Sequence, residues 1–127
     1  MKVQVRQGVF ETNSSSTHSV SVCLATDWDA FNRGDLWMRP CDGKMLPADE
    51  AEKFNEELIN SRVENSKRWK TPYTREEIIE DYATDLYKSH DDYYNWAEDT
   101  RYDFFDEGSV LSNGTHVVTF GYYGYDN

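Results

Sequence analysis

Twelve carboxylates and two basic residues, Lys88 and Arg101, fall within positions 76–107, with eight aromatic residues interleaved among them. Carboxylates resist burial, because an unpaired ionised group loses its hydration. Aromatic rings gain from leaving water. A stretch carrying both must sort them onto opposite sides of regular elements. Thr74 followed by Glu77 is a capping box, and Tyr73 with Ile78 can form the accompanying hydrophobic staple. On a helical wheel from Glu76, the residues Ile78, Ile79, Tyr82, Ala83, Leu86 and Tyr87 fill one half. Glu76, Glu77, Glu80, Asp81 and Asp85 fill the other. The spacing predicts a helix over 75–89 that buries one face and shows the other as nearly continuous carboxylate. Beyond Ser89 the pattern loosens but stays acidic and aromatic to Glu107.

The remaining elements follow from local patterns. Residues 2–6 alternate with period two, as strands do, and residues 20–24 read as a second strand. A polar loop separates them, so an antiparallel pair is expected. Thr26 and Asp29 form a second capping-box pattern, which predicts a short helix over 27–33 closed by Gly34 in the left-handed conformation. Asp42-Gly43 between the apolar runs 36–38 and 44–46 signals a hairpin. Ala51, Phe54, Leu58 and Val63 lie near one stripe of a helix over 48–63. Asn113-Gly114 is a turn, and residues 115–122 give the clearest strand, with Gly121 letting it bend or pack closely. The expected fold is α+β: one domain over 1–127, a small, mainly antiparallel sheet, and two main helices on one face. One domain suits 127 residues.

Charge and composition exclude several functions. The net charge is −11, but residues 1–72 hold 10 basic and 11 acidic side chains, against 3 and 13 in residues 73–127. Binding nucleic acid directly needs cations that replace counterions on phosphate, and anionic lipid needs the same. Neither suits this chain. Aromatic content of 15% argues for a folded globule over an acidic disordered chain. No apolar run approaches the length of a membrane span, and the first ten residues lack a signal-peptide core. A cytoplasmic protein with reduced Cys23 and Cys41 is expected, one of them buried in a strand.

Carboxylates spaced along a helix approach the charge density of duplex DNA within a few-fold. Such a surface can occupy a basic groove built for nucleic acid. The expected partner-binding residues are Glu76, Glu77, Glu80, Asp81, Asp85, Asp91, Asp92 and Trp96. A merely solvated acidic face is the competing reading. A second candidate is the polar loop Glu11, Asn13, Ser14, Ser15, Ser16, Thr17 and His18. Its hydroxyls and imidazole could bind phosphate or a nucleotide, or pair as nucleophile and base. They could equally fix the loop through side-chain bonds to backbone N–H groups. No nucleophile elbow, zinc spacing or phosphate-binding glycine motif occurs, so no catalytic residue, metal or cofactor is assigned. His90-Asp91-Asp92 is the one tight group of His and carboxylates in the sequence. The basic run 67–70 reads as a solvated loop between helices. The aromatic C-terminal strand offers a third function, pairing with a partner at its edge.

The string from Arg6 to Ser19, Arg-Gln-Gly-Val-Phe-Glu-Thr-Asn-Ser-Ser-Ser-Thr-His-Ser, resembles the opening of small uncharacterised proteins of phages and bacterial mobile elements. The closing run Phe120 to Asp126 is similar to their C-termini. The resemblance implies expression in the cytoplasm of a bacterial host. Small acidic proteins of such elements resemble inhibitors of host defence, including anti-restriction and anti-CRISPR proteins, several of which mimic DNA. On that footing the chain is expected to be a non-enzymatic inhibitor of a host protein with a basic nucleic-acid-binding groove. A phage accessory or assembly protein is the alternative.

Overall fold

The computed structural model describes residues 16–68 and 71–125, with side chains for 19–68 and 71–124. The chain is α+β, as expected. Strands β1 (Ser16–Leu24), β4 (Asp103–Val110) and β5 (His116–Tyr125) form an antiparallel sheet in the order β1-β5-β4. Strands β2 (Leu36–Met38) and β3 (Met45–Pro47) form a separate hairpin. Four helices complete it: α1 (Ala25–Arg33), α2 (Ala48–Ser66), α3 (Arg75–Asp81) and α4 (His90–Asp99).

β5 takes the central place because it holds the densest run of β-branched and aromatic residues. Val118, Phe120 and Tyr122 alternate onto one face. There Val118 and Phe120 cluster with Trp28 and Phe31 of α1, Tyr93 of α4, and Cys23 and Met38, while Tyr122 packs on Trp96 and Tyr102. The Trp28 and Phe120 rings pack at a tilt with centres 4.9 Å apart, and Phe31 meets Tyr93 edge-on at 6.0 Å. The helices on the three-stranded sheet are thus the short α1 and α4. The longer α2 packs with α3 around a second cluster, Ile59, Ile78 and Leu86.

Some local signals act as read. Thr74 caps α3: its hydroxyl accepts from the Glu77 N–H at 3.2 Å, and the Glu77 carboxylate accepts from the Thr74 N–H at 3.1 Å. Gly34 ends α1 with φ 89°, a conformation that costs glycine little. The hairpin at Asp42-Gly43 forms, with Gly43 N–H donating to the Arg39 carbonyl at 2.7 Å. Asn113-Gly114 turns the chain between β4 and β5.

Other expectations are corrected. The helix over 75–89 stops at Asp81, and α4 starts afresh at His90 with the Ser89 hydroxyl as its cap. The cause is tertiary. Thr84 carbonyl accepts from Cys41 N–H at 2.9 Å, and Lys88 exchanges two 2.8 Å backbone bonds with Met38. A continuous helix would use those groups internally. Glu76–Glu80, Glu77–Asp81 and Asp81–Asp85 are also like-charge pairs four apart, which weaken a helix. α1 begins at Ala25 straight after β1, with Leu24 as a cap that makes no side-chain bond, so Thr26–Asp29 is no capping box. The hairpin does not join the larger sheet. The strand over 2–6 lies outside the described residues.

The protonation of buried groups gives the fold a pH signature. Burial, then Asp27, pushes the Cys23 thiol up to about 12. Burial pushes the Tyr122 phenol up to about 12 and also raises Tyr93. Each group keeps its proton in the folded chain at pH values where the unfolded chain has lost it. The stability they supply is therefore complete below their ordinary values and is lost as pH rises from about 9 through about 12. The unfolding free energy from urea denaturation should fall across that window, by about 1.4 kcal/mol per pH unit for each group ionised only in the unfolded chain, and the midpoint with it. Cys23→Ala should flatten the first part of the fall, where phenols still hold their protons. A midpoint constant to pH 11 would contradict this.

Candidate functional site

α2, α3, the segment 82–88 and α4 enclose a groove of about 830 Å³. The segment is held in place by Asn55 of α2. Its amide nitrogen donates to the Tyr87 carbonyl at 2.9 Å, and its amide oxygen accepts from the Tyr87 N–H at 2.8 Å. Arg39 braces the same segment from behind. Its guanidinium forks onto Asp42 at 2.6 and 3.1 Å and lies over the rings of Phe54 and Tyr87. That planar, paired geometry is what Arg does and Lys does not. The floor of the groove is therefore set by packing on rigid elements.

The floor is apolar, with Trp37, Ile59, Ile79, Leu86 and Trp96. The rim is acidic, with Glu52 and Glu56 from α2, Glu80 from α3, and Asp92 and Asp99 from α4. Two cations share it. Arg75 pairs with Glu56. Lys88 is half-buried, and its ammonium lies 5.8 Å from the centre of the Trp96 ring. Burial lowers its proton affinity, and Asp92 works against that shift. Such a site suits a ligand with apolar body and positive charge, since apolar contact supplies contact area and the rim supplies orientation.

The expected partner-binding residues are distributed as follows. Glu80, Asp92 and Trp96 come together in the groove. Glu76, Glu77 and Asp81 lie exposed on α3 outside its lining, and Asp91 is exposed beside His90 Nδ1 at 3.1 Å. Asp85 turns inward: it is half-buried and interacts with Cys41. Trp96 is a wall rather than a projecting anchor, packed on Tyr93, Tyr102 and Tyr122. The continuous carboxylate face over 76–89 is thus replaced by an acidic α3 and an acidic first turn of α4, with the groove between. Among the described residues, no carboxylate of α3 pairs with a Lys or Arg.

Of the polar loop, Glu11, Asn13, Ser14 and Ser15 lie outside the described residues. Ser16, Thr17 and His18 open β1, in register with Tyr125, Gly124 and Tyr123. Cys23 is buried in β1 and Cys41 is exposed, both as free thiols. Burial, followed by Asp42, raises the Cys41 thiol, so it stays protonated at neutral pH. The His90 ring packs on Tyr94 and Phe31, and among the described residues no three metal-ligating side chains converge. Of the basic run, Lys67 pairs with Glu64 at 3.0 Å and Arg68 is exposed, while Trp69 and Lys70 lie outside the described residues. β1 flanks β5 over 117–125 and β4 flanks it over 116–123, so edge pairing through β5 is closed over 117–123. Among the described residues, no helix is long and apolar enough to cross a membrane.

Sequence reading missed Glu52, Glu56 and Asp99 as rim residues. Glu52 and Glu56 sit in the half of the chain whose charges cancel, but their spacing of four on α2 does put them on one face. Comparison of the chain with protein-family models, with curated proteins and with solved structures finds no match.

Proposed function

We propose that this chain is a non-enzymatic binding protein of a phage or mobile element that inhibits a host nucleic-acid-binding defence protein, in the manner of anti-CRISPR inhibitors that mimic DNA. The observation that carries the reading is the convergence of five carboxylates from three helices around one apolar-floored groove, beside an α3 whose carboxylates face water. The partner presents a basic groove. Long-range attraction between the two surfaces speeds their encounter and weakens as salt rises. Exposed carboxylates keep most of their hydration until contact, so their main contributions are rate and selectivity. Apolar residues such as Ile79, 40% exposed at the groove, add contact area.

Reversing Glu76, Glu80 and Asp81 to Lys together tests it. All three are exposed and the core residues of α3 are untouched, so the change in stability should stay within about 1 kcal/mol. Affinity for the partner should fall by at least ~100-fold. Inhibition that survives the triple reversal at full strength contradicts the proposal.

A further inference from the structure

Strand β4 hydrogen-bonds to β5 along one side, and among the described residues its other side has no strand beside it. An open edge of eight residues presents roughly 26 Å of backbone donors and acceptors. Its side chains are unusual for a strand left to water. Phe104 is 42% exposed and Val110 60%, on the side that carries Asp106. The opposite side carries Asp103, Phe105 and Glu107, again a ring between acids. The strand contains no basic residue.

We infer that the β4 edge is a docking site for an extended, basic segment of a partner protein, which adds to the sheet as a fourth strand. The register specifies its chemistry. Apolar side chains would lie beside Phe104, Phe105 and Val110, and Lys or Arg beside Asp103, Asp106 and Glu107. A second copy of this chain does not suit the edge, because full antiparallel pairing would set Asp106 against Glu107 twice over, and like charges opposed across strands repel. The inference rests on the reading of a basic partner, but its test uses no such partner, so failure of one is distinguishable from failure of the other.

The probe is a capped eight-residue peptide, Val-Thr-Thr-Lys-Lys-Val-Val-Lys, written to pair antiparallel with residues 110 to 103, titrated into the full chain and followed by amide exchange and NMR shifts. Two controls carry N-methyl groups on alternate residues, one set along each edge of the peptide. Methylation along the docking edge should weaken binding at least ~10-fold, while methylation along the other leaves it unchanged. Alternate amides of residues 103–110 should exchange at least ~10-fold more slowly with peptide bound. Asp106→Lys with Glu107→Lys should abolish binding, and the α3 triple reversal should preserve it. Equal binding of both methylated peptides would overturn the inference, since charge alone would then explain the association. So would shifts confined to the groove, or outward amides of β4 already protected in the free chain.

Discussion

Gly121→Ala is expected to prevent the three-stranded sheet from closing. A Cβ at this position would overlap the Ser19 carbonyl oxygen and lie 2.8 Å from its carbon, with Phe105 Cζ at 3.0 Å on the other side. The first obstacle is backbone of the neighbouring strand, so no rotamer change relieves it. β1 would have to move away from β5, and β1–β5 is the longest pairing among the described residues, nine residues from Ser16 to Leu24. Overpacking that shifts backbone costs about 1–3 kcal/mol and more where nothing yields, so a loss of at least ~3 kcal/mol is expected. Gly108→Ala is the matched control. It is also a strand glycine, on β4, and its added methyl meets nothing within 4 Å. Its effect should stay within about 1 kcal/mol. Urea denaturation of both proteins checks the pair, and equal stabilities would refute the close approach of β1 to β5.

Phe31→Ala should cost about 3–5 kcal/mol, the range for emptying a buried aromatic site. Phe31 is fully buried and sits where α1 meets α4. Its ring touches Trp28 on its own helix at 5.3 Å and Tyr93 of α4 at 6.0 Å, and the His90 ring lies 5.5 Å away. Removing it would leave a cavity lined by rings that cannot collapse without breaking their other contacts. A domain of ordinary stability has roughly 5–15 kcal/mol to lose. The melting temperature should therefore fall by roughly 10–20 °C. The loss should also loosen α4, whose first turn carries Asp91 and Asp92, so partner affinity should decline with stability. A drop below ~1 kcal/mol would place Phe31 outside the core.

Sequence signals that act within one turn were legible. The Thr74–Glu77 box, the Gly34 stop and the Asn113-Gly114 turn depend on near neighbours, and the folded chain uses all three. The β5 run was legible because it gathers β-branched and aromatic residues, with Val118, Phe120 and Tyr122 alternating onto the core. The break of the 75–89 helix was not. It depends on bonds from Thr84 to Cys41 and from Lys88 to Met38, residues more than 40 positions away. β4 escaped because seven of its eight residues are exposed, which erases the alternation that marks a half-buried strand. The groove escaped for a related reason. Charge summed along the chain set residues 76–107 apart, whereas the fold brings Glu52 and Glu56 from the balanced half to the same rim. The acidic concentration is thus shared between α2, α3 and α4, with apolar residues between the acids.

In the proposed function this acidic surface occupies a site built for nucleic acid. The most direct measurement is capture of partner from bacterial lysate on the immobilised full chain, across a salt series, with duplex DNA as competitor. A nucleic-acid-binding protein should be captured at low salt, released as salt rises and displaced by DNA, and the Glu76→Lys, Glu80→Lys, Asp81→Lys protein should capture none. Capture that ignores salt and DNA, or that survives the triple reversal, would contradict it.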